Sequence, residues 1–353
     1  MFFRVFPDRS RLQVNLDNHF AGPTPTACWI VGGGPSLSRL PISKIAATGI
    51  PKFAMNLAGT GLLQPNFWTS YDPTVRFHKS VYLSPAIMKF VHTCRALDLV
   101  PESTFKVCES PNLFCFDRTR GRGFFDFPTE SVTNISRPVD VSTNDLNIGI
   151  TDWQDSLIQT IDIAYRLGFR KLYLIGCEMF LTPPTALLKE AERRNVTYNK
   201  REPLPHFIAR CREAGMTKQQ IEGCDITNQY HFNETKPFDS AIRTDEHYYR
   251  VAQYLRLSRR AMSLAGLQLI SATPDSRLND YFPYQPVEEV IASIDQEVGN
   301  LRSETTIGRY TSSESRQPAG LIPMRDFSPH NWNTPAAKPA PPPVEEVIIN
   351  EVG

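Results

Sequence analysis

Residues 27–49, which read "ACWIVGGGPSLSRLPISKIAATG", decide the fold class of this chain. The apolar run "ACWIV" is typical of a buried strand in a parallel sheet, and three successive glycines at residues 32–34 end it. Pro35 and Ser36 then begin a helix or a helical turn. Glycine loses more conformational entropy on folding than any other residue, so three together indicate that some group approaches the main chain too closely for a side chain.

The composition limits the classes of protein to which the chain can belong. It has 353 residues, 41% of them hydrophobic, which is enough for one large domain or two ordinary ones. A net charge of +1 gives no indication of a polyanionic partner. No apolar run is long enough to span a membrane, and "MFFRVFPDRSRLQ" lacks the apolar core of a signal peptide. The odd count of seven cysteines favours reduced thiols, so we expect a cytoplasmic protein.

Strand-like and helix-like patterns alternate along the chain. We predict strands at "ACWIV", "KFAMN", "FWTSYD", "FKVCES", "LFCFD", "KLYLIGCEM" and "LQLISAT". Helices are predicted around residues 73–91, over residues 156–167, and from an N-cap at Thr244 or Asp245 to Gly266. This alternation predicts an α/β fold, a Rossmann-like, doubly wound, mainly parallel sheet with helices on both faces.

A stretch rich in charge and proline interrupts this pattern, and a stretch rich in proline, serine and threonine follows it. We therefore predict an N-terminal arm or edge strand (1–26), an α/β core (27–180), a charged insertion or lid (181–243), the C-terminal part of the core (244–297) and a disordered tail (298–353). "PVEEVI" occurs in the last predicted helix and again in the tail. The tail copy is a candidate docking peptide for a partner, and chance repetition is the alternative.

The glycine turn has the layout of an anion site. Where a strand leads through glycines into a helix N-terminus, free backbone N–H groups and the helix dipole point toward the ligand. Pro35 suits the first helical position, and Ser36 adds a hydroxyl. The glycines would then leave room for a phosphate or a ribose. The turn is not a P-loop or a dinucleotide fingerprint, since Leu37 replaces the third glycine. The alternative is a tight turn that binds nothing.

The stretch "IVGGGPSLSRL" resembles the Gly-x-Gly-Pro-Ser-Leu opening of a superfamily of nucleotide-dependent enzymes. It includes bacterial CMP-sialic-acid-dependent sialyltransferases, archaeal-type hydroxymethylpterin pyrophosphokinases, and motility-accessory and phage-encoded relatives. The blocks "KFAMN", "WTSYDP", "SLIQTIDIAYRLGFRKLYLIGCEMF" and "LQLISATPDSRLNDYFPY" resemble later family elements in the same order. The resemblance covers residues 27 to 295 or so, with gaps.

The resemblance implies a set of nucleotide-binding residues at the carboxyl ends of the strands. In the sialyltransferase-like branch, the glycine turn, two strand-end residues and a serine that opens the long helix hold the donor. The corresponding positions here are Gly32, Gly33, Gly34, Pro35, Ser36, Asn56, Asp72 and Ser156. For Asn56 and Asp72, the alternative is a role in capping turns.

The resemblance also implies catalytic residues. The family's general base is a histidine near the start of the next-to-last helix, which corresponds to His247; a surface or capping histidine is the alternative. Glu178 stands where the family has aspartate after the central strand, and no tyrosine follows this strand until Tyr198. In the pyrophosphokinase branch, Asp72 and Glu178 are the implied carboxylates for Mg²⁺.

The insertion carries two further patterns. His206, Cys211, Cys224 and His231 are soft or borderline ligands within one short stretch, but none has Cys-x-x-Cys spacing. Buried cysteines and solvent-facing histidines are therefore favoured over a zinc site. Residues 189–218 are rich in lysine and arginine. They suggest a lid over a phosphorylated donor or a surface for nucleic acid or glycan, and a solvated helix is the alternative.

Three functions follow as expectations. The first is a glycosyltransferase that moves a sugar from a CMP- or UDP-type nucleotide-sugar to an acceptor hydroxyl on a small molecule or glycan. The second is a pyrophosphokinase that uses ATP and Mg²⁺. The third is a nucleotide-binding or assembly protein without catalytic activity.

Overall fold

The computed structural model describes residues 2–58, 62–119, 149–223, 229–231, 234–235 and 238–298. All but the first residue of the predicted tail lie outside these ranges. Thirteen strands are described. They are β1 (Phe2–Val5), β2 (Arg11–Val14), β3 (Thr26–Val31), β4 (Lys52–Met55), β5 (Phe67–Thr69), β6 (Met88–His92), β7 (Leu113–Phe116), β8 (Arg118–Thr119), β9 (Ile150–Thr151), β10 (Phe169–Ile175), β11 (Gln229–His231), β12 (Glu234–Thr235) and β13 (Gln268–Ser271).

Eight α-helices and several short 3₁₀ turns connect the described strands. The helices are α1 (Ile42–Ala47), α2 (Lys79–Leu83), α3 (Ser156–Arg166), α4 (Thr185–Arg193), α5 (Leu204–Glu213), α6 (Lys218–Glu222), α7 (Phe238–Leu264) and α8 (Val287–Glu297). Within the described ranges, no helix is both long enough and apolar enough to cross a membrane. Because these helices alternate with strands along the chain, the protein is of the α/β class, as the sequence patterns predict.

Nine strands form one sheet in the order β13–β10–β3–β4–β5–β6–β7–β1–β2. All neighbours from β13 to β7 are parallel, whereas β1 is antiparallel to both β7 and β2. The N-terminal residues thus form the last two strands at one side of the sheet, with β2 at its edge. From β3 the chain adds strands on one side up to β7, and then places β10 and β13 on the other side. The carboxyl ends of β3 and β10 therefore meet where the strand order reverses, which is where open α/β sheets leave a crevice.

The strands at the centre of the sheet are almost wholly buried, which explains their continuous apolar runs. Aromatic rings pack against one another along the core. Phe53 and Phe90 each lie within 7 Å of Phe67, and Phe169 stacks on Phe20 between the N-terminal arm and β10. This core fixes β10 beside β3.

Two predicted elements at the far side of the sheet are wrong. Met88–His92 is strand β6 and not part of a helix; a short apolar run has no period that distinguishes the two, and pairing with β5 and β7 decides for a strand. The predicted strand "FKVCES" contains a 3₁₀ turn at Val107–Glu109. The Glu109 carboxylate accepts a hydrogen bond from the Lys106 N–H and so caps the start of this turn.

Helix α7 begins at Phe238, so the predicted N-cap at Thr244 or Asp245 is also wrong. The Thr244 hydroxyl donates to the Ser240 carbonyl one turn earlier. Asp245 is fully buried, and its carboxylate accepts from the N–H groups of Leu181 and Leu204. Asp245 caps neighbouring segments instead of its own helix.

The insertion has a small hydrophobic core of its own. Leu187, Leu204, Phe207 and Ile221 are buried there, and the core packs on the first turns of α7 through Phe238. A buried ion pair joins this unit to the main sheet. The Arg277 guanidinium, only 3% exposed, lies 3.2 Å from Asp245 Oδ2 and donates to the carbonyls of Met179, Lys200 and Glu202.

Two buried lysines have the same structural role at the amino edge of the sheet. Lys52 Nζ donates to the Thr48 carbonyl after α1, and Lys89 Nζ donates to the Ser84 carbonyl after α2. Burial lowers the pKa of Lys52 to about 8 and that of Lys89 to about 7. Each lysine ties the end of a helix to the edge opposite the crevice.

Candidate functional site

A pocket of about 430 Å³ lies at the carboxyl ends of β3, β4, β5 and β10, with one face of α7 as its other wall. The sequence-predicted residues that line it are Gly32, Gly33, Gly34, Pro35, Asn56, Asp72, Ser156, Glu178 and His247. Ser36 is the exception: it is 1% exposed, and its hydroxyl is buried beside the pocket without a hydrogen-bond partner among the described residues. The fold thus brings together residues from six separate parts of the chain.

The segment that approaches the glycines most closely is the turn after β10. A Cβ atom on Gly32 would clash with the Gly176 carbonyl and would lie 2.6 Å from Cys177 Sγ. A Cβ atom on Gly34 would overlap the Glu178 carboxylate and lie 2.7 Å from the Gly176 carbonyl. The N–H groups of Gly32 and Gly34 donate to the carbonyls of Ile175 and Gly176. Close packing of two strand ends therefore requires these two glycines, whatever the pocket binds.

A carboxylate of the protein also occupies the start of the 3₁₀ turn Pro35–Arg39. The Ser36 N–H donates to Glu178 Oε1 at 2.6 Å, and Glu178 Oε2 is buried without a described hydrogen-bond partner. The predicted anion position after the glycines is thus filled from within the chain. The prediction that a phosphate binds at this main chain is not tested by the structure.

We expect Gly32→Ala to lower the free energy of unfolding by about 2–3 kcal/mol, because the new methyl group meets rigid backbone of the neighbouring turn. Gly22→Ala is a matched control: a Cβ atom there would lie 3.2 Å from a methyl group of Thr26, so we expect a change of about 0.5 kcal/mol or less. Urea denaturation of both variants gives the comparison. Equal losses in the two variants would contradict the packing role of Gly32.

Asn56 is held by a network of hydroxyl groups. Its Oδ1 accepts from Ser70 Oγ at 2.6 Å and from Ser156 Oγ at 2.9 Å. These hydroxyls in turn accept from the N–H groups of Asp72 and Tyr71, so their single hydrogens are available for Asn56. The amide is thereby oriented with its oxygen inward, and its NH₂ group makes no hydrogen bond to a described residue. Asn56 therefore presents a hydrogen-bond donor at the pocket wall.

Ser156 and Asp72 make contacts within the protein. Ser156 Oγ is used by Asn56 and by the Tyr71 N–H, so Ser156 positions Asn56 beside the pocket. Asp72 Oδ2 lies 2.8 Å from Arg76 Nη1, four residues later, and its side chain is 34% exposed. Asp72 therefore reaches the pocket as a partly neutralised carboxylate.

His247 forms a pair with Asp155, which the sequence analysis did not single out. His247 Nε2 lies 3.2 Å from Asp155 Oδ2, and the Asp155 side chain is only 10% exposed. Asp155 Oδ1 accepts from the N–H groups of Leu157 and Ile158, so the same carboxylate caps α3. A carboxylate only accepts, so Nε2 carries the proton and Nδ1 of the neutral ring keeps a lone pair. This is the arrangement of an oriented histidine base.

The lining residues of α7 recur with the helical period, at Ser240, Arg243, Thr244, His247 and Tyr248. Arg243 is exposed and lies one turn before His247, and no described residue forms an ion pair with it. Arg243 is the last residue of the predicted insertion, and its position one helical turn from His247 was therefore not predicted. The spacing of four residues was the available signal.

Three non-glycine residues that line the pocket have left-handed backbone conformations. The φ angles are +53° at Asn56, +53° at Gln154 and +59° at Met179. Such conformations cost free energy for residues with a side chain, and in folded proteins they concentrate at functional sites. Their presence around one pocket is a second indication, independent of motifs, that this crevice is the functional site.

The zinc candidates of the insertion do not converge where they are described. His206 is exposed and Cys211 is fully buried, and their spacing of five residues on α5 places them on different faces. Cys224 and the side chain of His231 lie outside the described residues. No group of three or more metal-ligating side chains occurs among the residues that the structure describes.

Most basic residues of the insertion are paired with carboxylates. Arg193 and Arg194 both contact Glu190, and Arg210 forms a two-pronged pair with Glu202. Lys200 forms an ion pair with Asp275, and Arg201 forms one with Asp280; both aspartates follow β13 in the chain. These pairs reduce the charge available for a nucleic acid.

No protein-family model, curated protein or solved structure matches this chain. The functional assignment therefore rests on the pocket itself.

Proposed function

We propose that this protein is a nucleotide-dependent transferase of the glycosyltransferase type, with a nucleotide-sugar bound in the pocket. The observation that carries the proposal is the His247–Asp155 pair at the wall of a crevice that also contains Asn56 and the glycine turn. A base oriented by a carboxylate suits an enzyme that must remove a proton from an acceptor hydroxyl.

The chemistry of the walls supports a ligand rich in hydroxyl groups. The 3₁₀ turn Pro35–Arg39 and helix α3 both begin at the pocket, and a carboxylate of the protein caps each of them. Glu178 caps the 3₁₀ turn, and Asp155 caps α3. Asp72 adds a third carboxylate. Ribose and sugar hydroxyls donate hydrogen bonds and so match these acceptors. A bare polyphosphate matches them poorly.

Each remaining group has a role in this proposal. His247 Nδ1 takes the proton of the acceptor hydroxyl as the oxygen attacks the sugar carbon. The bond from that carbon to the phosphate oxygen breaks, and Arg243 stabilises the charge that develops on the phosphate. The Asn56 amide donates to the base or ribose. The reversal of strand order beside β3 supports the Rossmann-like character of this site.

The pyrophosphokinase alternative requires carboxylates that are free to hold Mg²⁺. Asp72 is paired with Arg76, and Glu178 Oε1 accepts from the Ser36 N–H. Each implied metal ligand thus has one oxygen engaged within the protein, and Mg²⁺ would have to bind through the other oxygen or displace these contacts. A nucleotide-binding protein without catalysis remains the third candidate, and it differs from the first only in turnover.

The proposed function is tested by a thermal-shift screen of CMP, UDP, GDP, ADP and ATP derivatives with and without Mg²⁺. A ligand at a hundred times its Kd stabilises the folded state by about 2.7 kcal/mol, so we expect a nucleotide-sugar to raise Tm by several degrees without metal. Arg243→Ala is expected to reduce this shift. Arg250→Ala, an exposed arginine farther along α7, is the matched control and should leave it unchanged.

Two outcomes would contradict the proposal. A shift only with ATP and Mg²⁺ would favour the pyrophosphokinase. The absence of any shift with all five nucleotide classes would mean that the pocket does not bind nucleotides.

A further inference from the structure

A second group of reactive side chains lies at the carboxyl edge of the same sheet, beyond the pocket. β6 ends at His92, and the 3₁₀ turn Thr93–Arg95 follows directly. Cys94 Sγ lies 2.7 Å from His92 Nδ1. Cys94 is exposed, whereas the other described cysteines, at positions 28, 108, 115, 177 and 211, are buried. Cys94 is thus the described thiol that solvent and reagents can reach.

The backbone determines which atom of the imidazole can act as a base. The Cys94 N–H donates to His92 Nδ1 at 3.3 Å, so His92 caps the turn through this nitrogen. A nitrogen that accepts must carry a lone pair, and the proton of the neutral ring is therefore on Nε2. The same lone pair faces the Cys94 thiol, which becomes its second donor.

The surroundings of His92 favour its neutral form. Burial, and after it the positive charge of Arg118, hold the pKa of His92 below its usual range; Asp117 and Asp152 act in the opposite direction, and Arg95 adds to the lowering. His92 is therefore unprotonated at neutral pH and able to accept a proton.

Arg118 is held beside this pair by contacts that leave its charge in place. Its guanidinium lies 3.7 Å from the centre of the Tyr71 ring and donates to Gln159 Oε1. Burial lowers the pKa of Arg118, and its interactions with Tyr71, Asp152 and Cys94 oppose this lowering. Arg118 thus places a positive charge near both His92 and Cys94. A cation and a histidine beside a thiol are the environment typical of reactive cysteines.

We propose that Cys94 is an activated thiol and a site of covalent modification by thiol–disulfide exchange. The Cys94 S–H proton moves to His92 Nδ1, and the thiolate attacks one sulfur of a small-molecule disulfide. A new S–S bond forms to Cys94 as the S–S bond of the reagent breaks. The departing thiolate takes up one proton, which balances the proton that His92 received. Nothing in this step depends on the nucleotide pocket.

The test measures reaction of the full chain with the aromatic disulfide dithiobis(nitrobenzoate) from pH 6 to pH 10, with peptide mapping to locate the modified cysteine. We expect Cys94 to react first, and faster at pH 7 than free cysteine. His92→Gln keeps an acceptor for the Cys94 N–H but cannot take the proton, so it should slow the reaction at pH 7 by about tenfold or more. At pH 10 the difference should disappear, because ordinary thiols are ionised there without a neighbouring base.

Two variants complete the experiment. Cys94→Ser should abolish the fast phase, and His78→Gln, an exposed histidine before α2, should leave it unchanged. The proposal is overturned if Cys94 reacts no faster than free cysteine at pH 7, or if His92→Gln with an unaltered circular dichroism spectrum reacts as fast as the unmodified protein.

Discussion

Asp245→Asn is expected to lower the free energy of unfolding by about 3–5 kcal/mol, the cost typical of removing one partner from a buried ion pair. Asp245 is fully buried and accepts from the Leu181 N–H, the Leu204 N–H and the Arg277 guanidinium. An amide offers one acceptor in place of two and turns a donor toward groups that are themselves donors. Arg277 would then be a buried cation without a counterion.

The loss should appear first in the insertion, because Asp245 and Arg277 connect it to the main sheet. Limited proteolysis should cut the variant faster within residues 181–223, and urea denaturation gives the total loss. Asp280→Asn is the matched control, since the Arg201–Asp280 pair lies at the surface and is expected to contribute less than about 1 kcal/mol. Similar losses in the two variants would mean that the buried pair does not anchor the insertion.

His247→Gln is expected to reduce kcat/KM for sugar transfer by about 10²–10⁴-fold, the usual contribution of a general base. Glutamine can still donate to Asp155, so the cap of α3 and the shape of the pocket should persist. The nucleotide-sugar should therefore raise Tm of the variant as much as that of the unmodified protein.

His206→Gln serves as the control for this experiment, since His206 is exposed on α5 and does not line the pocket. Full activity in His247→Gln together with an unchanged ligand shift would remove the base from the mechanism but leave nucleotide binding intact. Loss of the ligand shift in this variant would instead assign His247 to binding.

Local patterns predicted the structure correctly where they report a local property. The buried runs of β3, β4, β5, β10 and β13 predicted strands because short apolar runs between turn signals are typical of a sheet that is covered on both faces. Gly168, with φ of +108°, follows α3 as expected for a helix stop. The short strand β6 was missed because its pairing with two distant strands, and not its own pattern, decides its conformation.

The start of α7 illustrates the same limit. Aspartate is a residue type that favours N-caps, but the Asp245 carboxylate accepts hydrogen bonds from N–H groups that lie 41 and 64 residues away in the chain. Asp155, by contrast, does cap its own helix, and it was missed because nothing local indicates that a histidine 92 residues later lies against it. Both errors concern partners that are remote in sequence.

By itself, the sequence predicted an α/β protein and a close approach to the glycine main chain, which the structure shows at Gly32 and Gly34. Only the tertiary structure decided which groups make that approach. The Glu178 carboxylate, 142 residues from Ser36, lies there because the sheet places β10 directly beside β3. The physical reason is that a run of glycines indicates that some group packs closely against the main chain. The order of the strands in the sheet decides which group that is.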